Sequence, residues 1–304
     1  MKKNYKTYFI HLFTILFFNF LISLVFLLIL EMVAYDNIWK GEPKGTRKPF
    51  FQGLLSSYKD GSIEKRLTYN WFFRKVVYGD KDKTPVILFG CSYSYGNSLE
   101  LEETFGYQLS KLTNRTVYNY SVSGGSPKET LYLLRYYKDL NKISNPEYVI
   151  YTYIGDHVSR ITRFGWTDNY IEMPVFVKKP DQTLEYQNKK NYLHKLRTFM
   201  YLNMVYSDAI IYKNIDLLNI YFTEIQKEIT KKYPKTKFVI FVYDDKGLED
   251  WNTLEQKNIE VIHLKDLSSE NFNDVKYRVA DDDPHPNAKA WNLIVPALAK
   301  RLKL

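Results

Sequence analysis

The sequence predicts an α/β domain with a mostly parallel sheet covered by helices on both faces, set behind one N-terminal membrane helix. Three observations predict it: an uncharged apolar run at Tyr8 to Leu30, strand-like and helix-like patterns alternating from Pro85 onward, and glycine- or serine-bearing turns just past several of the strands. At 304 residues the chain is long enough to bury a large core.

The first element is YFIHLFTILFFNFLISLVFLLIL, interrupted only by His11, Thr14, Asn19 and Ser23 among polar residues. About 20 apolar residues cross a bilayer as a helix. The run exceeds the roughly 7 to 15 apolar residues of a signal peptide, and EMVAYDN is a poor cleavage site, so residues 1–33 read as an uncleaved, single-pass anchor. Lys2, Lys3 and Lys6 place the N-terminus inside and the remainder extracytoplasmic, against a counter-signal from Lys40, Lys44, Arg47 and Lys48. Residues 34–84, with Gly, Pro and charge clusters around YNWFFRKVVY, read as a stalk and lead-in.

The domain is expected over 85–304. VILFG (86–90) is a buried-strand pattern, ETFGYQLSKL (103–112) has helical spacing, and TVYNYSV (116–122) is strand-like. PKETLYLLRYYKDL (127–140) opens on a proline and repeats apolar residues at three and four. YVIYTYIG (148–155) is the next strand. Residues 160–212 have weak periodicity, with Gly165, Pro174 and Pro180 as breakers, and suggest a cap or substrate-facing insertion. A long helix (215–233), strands at 237–243 and 259–264, and a terminal helix at 286–302 complete the alternation.

In open parallel sheets ligands sit at the carboxyl ends of strands. Ser92, Ser123 to Gly125 and Gly155 to His157 each follow a predicted strand, so three loops are expected to converge. A serine on such a turn, with a late histidine (His285) and nearby acids, is a pattern for acyl transfer. The net charge of +9 is spread among acids without a basic run interleaved with aromatics, which argues against a nucleic-acid partner. The single cysteine, Cys91, excludes an intrachain disulfide, and the five histidines lack metal-ligand spacing, so no metal or other cofactor is expected. Cys91 is expected to be a packing residue, because adjacent residues at a strand end point to opposite sides.

Four blocks within 85–304 resemble the SGNH, or GDSL-type, hydrolases: ILFGCSYSYGNSLELEETFGYQL, NYSVSGGSPKE, the end of YVIYTYIGDH, and DDPHPN. The resemblance implies a flavodoxin-like three-layer α/β/α sandwich and a serine esterase. It implies Ser92 as nucleophile, with Cys91 where the family carries an aspartate, and Asp282 and His285 as acid and base in a DxxH spacing. Asp281 and Asp283 are then neighbours that could be mistaken for the partner, the alternative being that all three are solvated acids before a helix. Gly124 matches the oxyanion-hole glycine, joining the Ser92 N–H. The family's oxyanion asparagine is missing here. Asp156 can only accept hydrogen bonds when ionised, so His157 is either the substitute donor or a structural histidine capping the loop.

The implied activity is hydrolysis of an acyl ester, an O-acetyl group on a glycan being one such substrate and a lipid ester another. An O-acyltransferase using the same triad and a catalytically idle, membrane-anchored binding module are the alternatives.

Overall fold

The computed structural model describes residues 5–38, 79–80, 82–162, 175–187, 215–245 and 251–304. The predicted stalk therefore falls largely outside the described residues. The N-terminal segment and the α/β part (61–189 with 207–304) are separate compact units.

Helix α1 runs Tyr5–Ile38. Its window Phe13–Leu30 has a mean hydropathy of 2.8 and is long and apolar enough to cross a membrane. The side chains from Phe13 to Ile29 are exposed, so they serve no core of this unit. Asn19 turns its amide back onto Ile15 O at 2.9 Å, which satisfies one polar hydrogen within the helix itself.

The α/β unit runs β1 (Val86–Phe89), α2 (Ser92–Tyr95), α3 (Phe105–Thr113), β2 (Val117–Asn119), α4 (Pro127–Tyr136), β3 (Tyr148–Tyr153) and α5 (Asp156–Thr162). It continues through β4 (Val175–Lys178), β5 (Leu184–Gln187), α6 (Ile215–Lys232), β6 (Lys237–Val242), β7 (Glu260–His263), β8 (Arg278–Ala280), β9 (Asp283–Pro286) and α7 (Ala288–Leu302). The main sheet has the order β2-β1-β3-β6-β7, all parallel. This is the flavodoxin-type order, in which the chain winds outward from β1 to β2 and then crosses back to β3 on the other side. The crevice at that reversal lies at the carboxyl end of β1, where Ser92 follows.

Strand alternation divides the core into two layers. Val86 and Leu88 of β1, Tyr148 and Ile150 of β3, and Val239 and Phe241 of β6 pack with α3 and α7. Ile87 and Phe89, Val149, Tyr151 and Tyr153, and Phe238, Ile240 and Val242 pack with α4 and α6. Both faces are covered, which is why β1 and β3 read as unbroken apolar runs. On the first face Trp291 stacks on Phe105 with ring centroids 4.9 Å apart.

The helices begin where the sequence supplies caps. Ser126 and Glu129 form a capping box ahead of Pro127, with Ser126 N donating to Glu129 Oε2 at 2.6 Å. Asn287 Oδ1 accepts from Ala290 N at 3.1 Å to start α7.

Ahead of β1, Asp80 bridges Arg115 in parallel, with Asp80 N donating to Asn114 O at 3.0 Å. Within the expected 160–212 insertion, residues 160–162 end α5, and 175–187 form an antiparallel hairpin, β4–β5, that docks on α4 and α6. Tyr186 meets Tyr132 and Tyr136 at 5.0 and 5.4 Å, and Arg135 Nη1 donates to Leu184 O at 2.6 Å.

Candidate active site

Ser92 opens the one-turn helix α2 directly after β1. The turn requires Gly90: its φ is +144°, and a Cβ there would meet Ser94 Oγ at 2.4 Å and Thr152 O at 3.0 Å. Below it, Ser121 Oγ donates to Ser94 Oγ (2.8 Å) and Asn119 Nδ2 to Ser94 O (2.8 Å), tying α2 to the end of β2. Ser92 itself is 6% exposed.

The partner arrives from the other end of the chain. His285 Nε2 lies 2.7 Å from Ser92 Oγ. Its Nδ1 is hydrogen-bonded to Asp283 Oδ1, which also accepts from the His285 backbone N–H at 3.0 Å. With a carboxylate at Nδ1, the imidazole carries its proton there and offers the Nε2 lone pair to the serine hydroxyl. Burial acts to raise the Asp283 carboxyl pKa. The hydrogen bonds from His285 outweigh it, so Asp283 sits below the ordinary carboxylate range.

The partner of His285 is thus Asp283, not the expected Asp282. The reason is local: Asp281 and Asp282 form the exposed turn of the β8–β9 hairpin, and Asp283 to Pro286 is extended. In an extended strand residues two apart share a side, so Asp283 and His285 point together while Asp282 stays in the turn.

The expectation for His157 also changes. It is fully buried on α5, its Nδ1 receiving the Tyr151 hydroxyl at 2.9 Å and the Ile154 N–H at 3.4 Å. Tyr151 and Tyr153 meet its ring edge-on at 5.4 and 5.5 Å. Burial, reinforced by the Arg160 charge, holds its pKa well below the usual histidine value, so it is a neutral core residue. Neither ring nitrogen is open to solvent: Nδ1 is taken by the hydroxyl of Tyr151 on β3, and Nε2 is buried with no hydrogen-bond partner among the described residues.

Gly124 adopts φ +72°, a left-handed conformation, at the position expected for the oxyanion glycine. The loop it belongs to is joined to the nucleophile turn by Asn97 Nδ2 donating to Ser123 Oγ at 2.9 Å. Cys91 is fully buried, and burial raises its thiol pKa. This fits the packing role expected for it.

Two residues at the site had no motif to announce them. The Tyr93 ring lies 5.1 Å from the His285 ring and 5.1 Å from Tyr243, which continues to Trp291 at 6.0 Å. With Phe105 beneath Trp291, a column of aromatic rings runs from the core to the imidazole. Arg160, on the same helix as His157, donates from Nη1 to Gly125 O at 3.0 Å and pairs through Nη2 with Asp156 at 3.2 Å. Their spacing, Asp156 and Arg160 four apart, was a readable helix pair, but nothing in it pointed to the glycine loop. Among the described residues no group of three His, Cys, Asp or Glu side chains stands together as a metal-ligand set.

No family profile and no curated protein matches the chain. Several solved structures are similar to it. A protein described as lipolytic, of the G-D-S-L family, from Desulfitobacterium hafniense DCB-2 shares 12% identity, with 72% of this chain and 99% of that one covered at a TM-score of 0.43. That is the name the sequence blocks resemble. An acetyl xylan esterase from Butyrivibrio proteoclasticus shares 11%, covering 75% of this chain and 64% of that one, at 0.44. A family 3 carbohydrate esterase from Clostridium thermocellum shares 10%, covering 71% and 94%, at 0.41. At such identities and scores the likeness assigns no activity to this chain.

Proposed function

We propose that the protein is a serine-dependent ester hydrolase using Ser92, His285 and Asp283. The observation that carries the reading is the 2.7 Å hydrogen bond between Ser92 Oγ and His285 Nε2, with Asp283 behind the imidazole. His285 takes the Ser92 proton as Oγ bonds to the ester carbonyl carbon, and Asp283 holds the resulting imidazolium in place. The tetrahedral oxyanion is received by the N–H groups of Ser92 and Gly124. Collapse breaks the bond to the alcohol oxygen, which leaves with the proton from His285. Water repeats the sequence to free the acid and restore Ser92.

The fitting substrate is an acyl ester on an envelope glycan or lipid, met by a domain tethered through α1 on the extracytoplasmic side. The exposed apolar surface of α1 and the basic N-terminal tail support this placement. The test is labelling of the full chain in detergent with an aryl fluorophosphonate, alongside hydrolysis of p-nitrophenyl acetate. Wild type should label and turn over, and Ser92→Ala should do neither. A folded wild type that stays unlabelled overturns the reading in favour of an idle binding module.

A further inference from the structure

Arg160 is a charged side chain only 14% exposed, and the ion-pair partner it has among the described residues, Asp156, is 69% exposed and open to solvent screening. Withdrawing a guanidinium from water is costly unless close partners restore what is lost. A solvated carboxylate at 3.2 Å restores little of it. What the position does provide is proximity to three parts of the site. Nη1 holds Gly125 O, the carbonyl next along from Gly124. The guanidinium charge also acts on the Cys91 thiol, one residue before the nucleophile, and on the Tyr93 phenol, one residue after it. The expected side-chain donor, His157, has meanwhile turned into the core.

We propose that Arg160 is the positioning residue of the oxyanion loop, fixing the Gly124–Gly125 turn through Gly125 O and placing a desolvated positive charge beside the oxyanion that forms on Ser92 attack. The inference rests on the ester-hydrolase reading. It assigns the missing third contribution to a cation acting through the loop, where His157 was expected as a donor touching the oxyanion. Such a charge acts mainly on the transition state, since the ground-state ester is neutral.

The test uses full-length protein in detergent, with p-nitrophenyl acetate turnover and the rate of fluorophosphonate labelling at Ser92. Arg160→Gln should lower kcat about 30- to 300-fold with KM changed less than about threefold, somewhat less than the roughly 10²- to 10³-fold loss when a direct oxyanion donor is removed, because Arg160 acts through the loop. Arg160→Lys, which keeps the charge, should recover at least about a fifth of the lost kcat. Guanidinium ion at tens of millimolar should restore Arg160→Ala saturably, an effect that a merely destabilised fold would not show. The inference is overturned if the Gln variant keeps wild-type kcat while Ser92 still labels. It is equally overturned if Lys, Gln and Ala lose activity alike, without rescue and in step with a lowered melting temperature. A wild type that does not label Ser92 at all removes the ester-hydrolase reading and this inference together, and is told apart from the other failures by that result alone.

Discussion

The two halves of the candidate site are built in opposite ways. The nucleophile half hangs on the end of a central parallel strand, with Gly90, Ser94, Asn119 and Ser121 packed beneath Ser92. The acid–base half sits on a two-stranded hairpin beside the main sheet, with the His285 and Asp283 side chains 22% and 29% exposed. The hairpin is fastened by Asn287, whose Nδ2 donates to Lys276 O (3.1 Å) and Arg278 O (2.7 Å) while its Oδ1 caps α7. One half is rigid through burial, and the other through a few specific hydrogen bonds and the aromatic column. The difference teaches that geometry of similar precision can rest on apolar packing or on polar clamps, with different sensitivities to mutation.

The comparison breaks most sharply at the reacting groups. Ser92→Ala and His285→Ala should each lower kcat for p-nitrophenyl acetate by at least about 10⁴-fold. Within the hairpin, Asp283→Asn should cost about 10³- to 10⁴-fold while Asp282→Asn stays within about twofold; equal losses would place both acids at His285. On the buried side, Gly90→Ala forces a side chain into a left-handed conformation against Ser94, and should lower unfolding free energy by about 1–3 kcal/mol in urea titrations. Asn287→Ala removes the cap and both clamps. It should lower stability by about 1–2 kcal/mol and reduce kcat by more than that loss of folded fraction explains, because the hairpin loses its register.

The smallest effect is a pH slope from His157. Its pKa is depressed in the fold, so below the ordinary histidine pKa the unfolded chain binds a proton that the folded chain refuses. The stabilising contribution is therefore complete at neutral pH and declines as pH falls, by at most about 1.4 kcal/mol per pH unit for one proton. The gap in stability between wild type and His157→Gln should narrow from pH 8 to pH 5. A gap independent of pH would show that His157 is not neutral in the core.

The main sheet was legible because each strand is covered on both faces, so burial is written as continuous apolar runs. Ser92 was legible because the glycine before it and the strand before that are local signals. Asp283 was not, because choosing between Asp282 and Asp283 depends on whether the segment is extended, and the flanking prolines of Asp-Pro-His-Pro mask any alternation. His157 was misplaced for a related reason. Its destination is decided by Tyr151, which meets it only once α5 folds back on β3. Arg160 and Tyr93 act through contacts with distant loops, which no spacing along the chain records.

Cys91 is the chain's only thiol, and it lies sealed beside the nucleophile. In the closed protein it is shielded from alkylating reagents and held in its unreactive protonated form. Any modification there must pass through an opening of the turn that carries Ser92, so the rate at which a small maleimide reacts measures how often that turn comes apart. The protein thus contains its own chemical clock for the integrity of the nucleophile, one residue away from it.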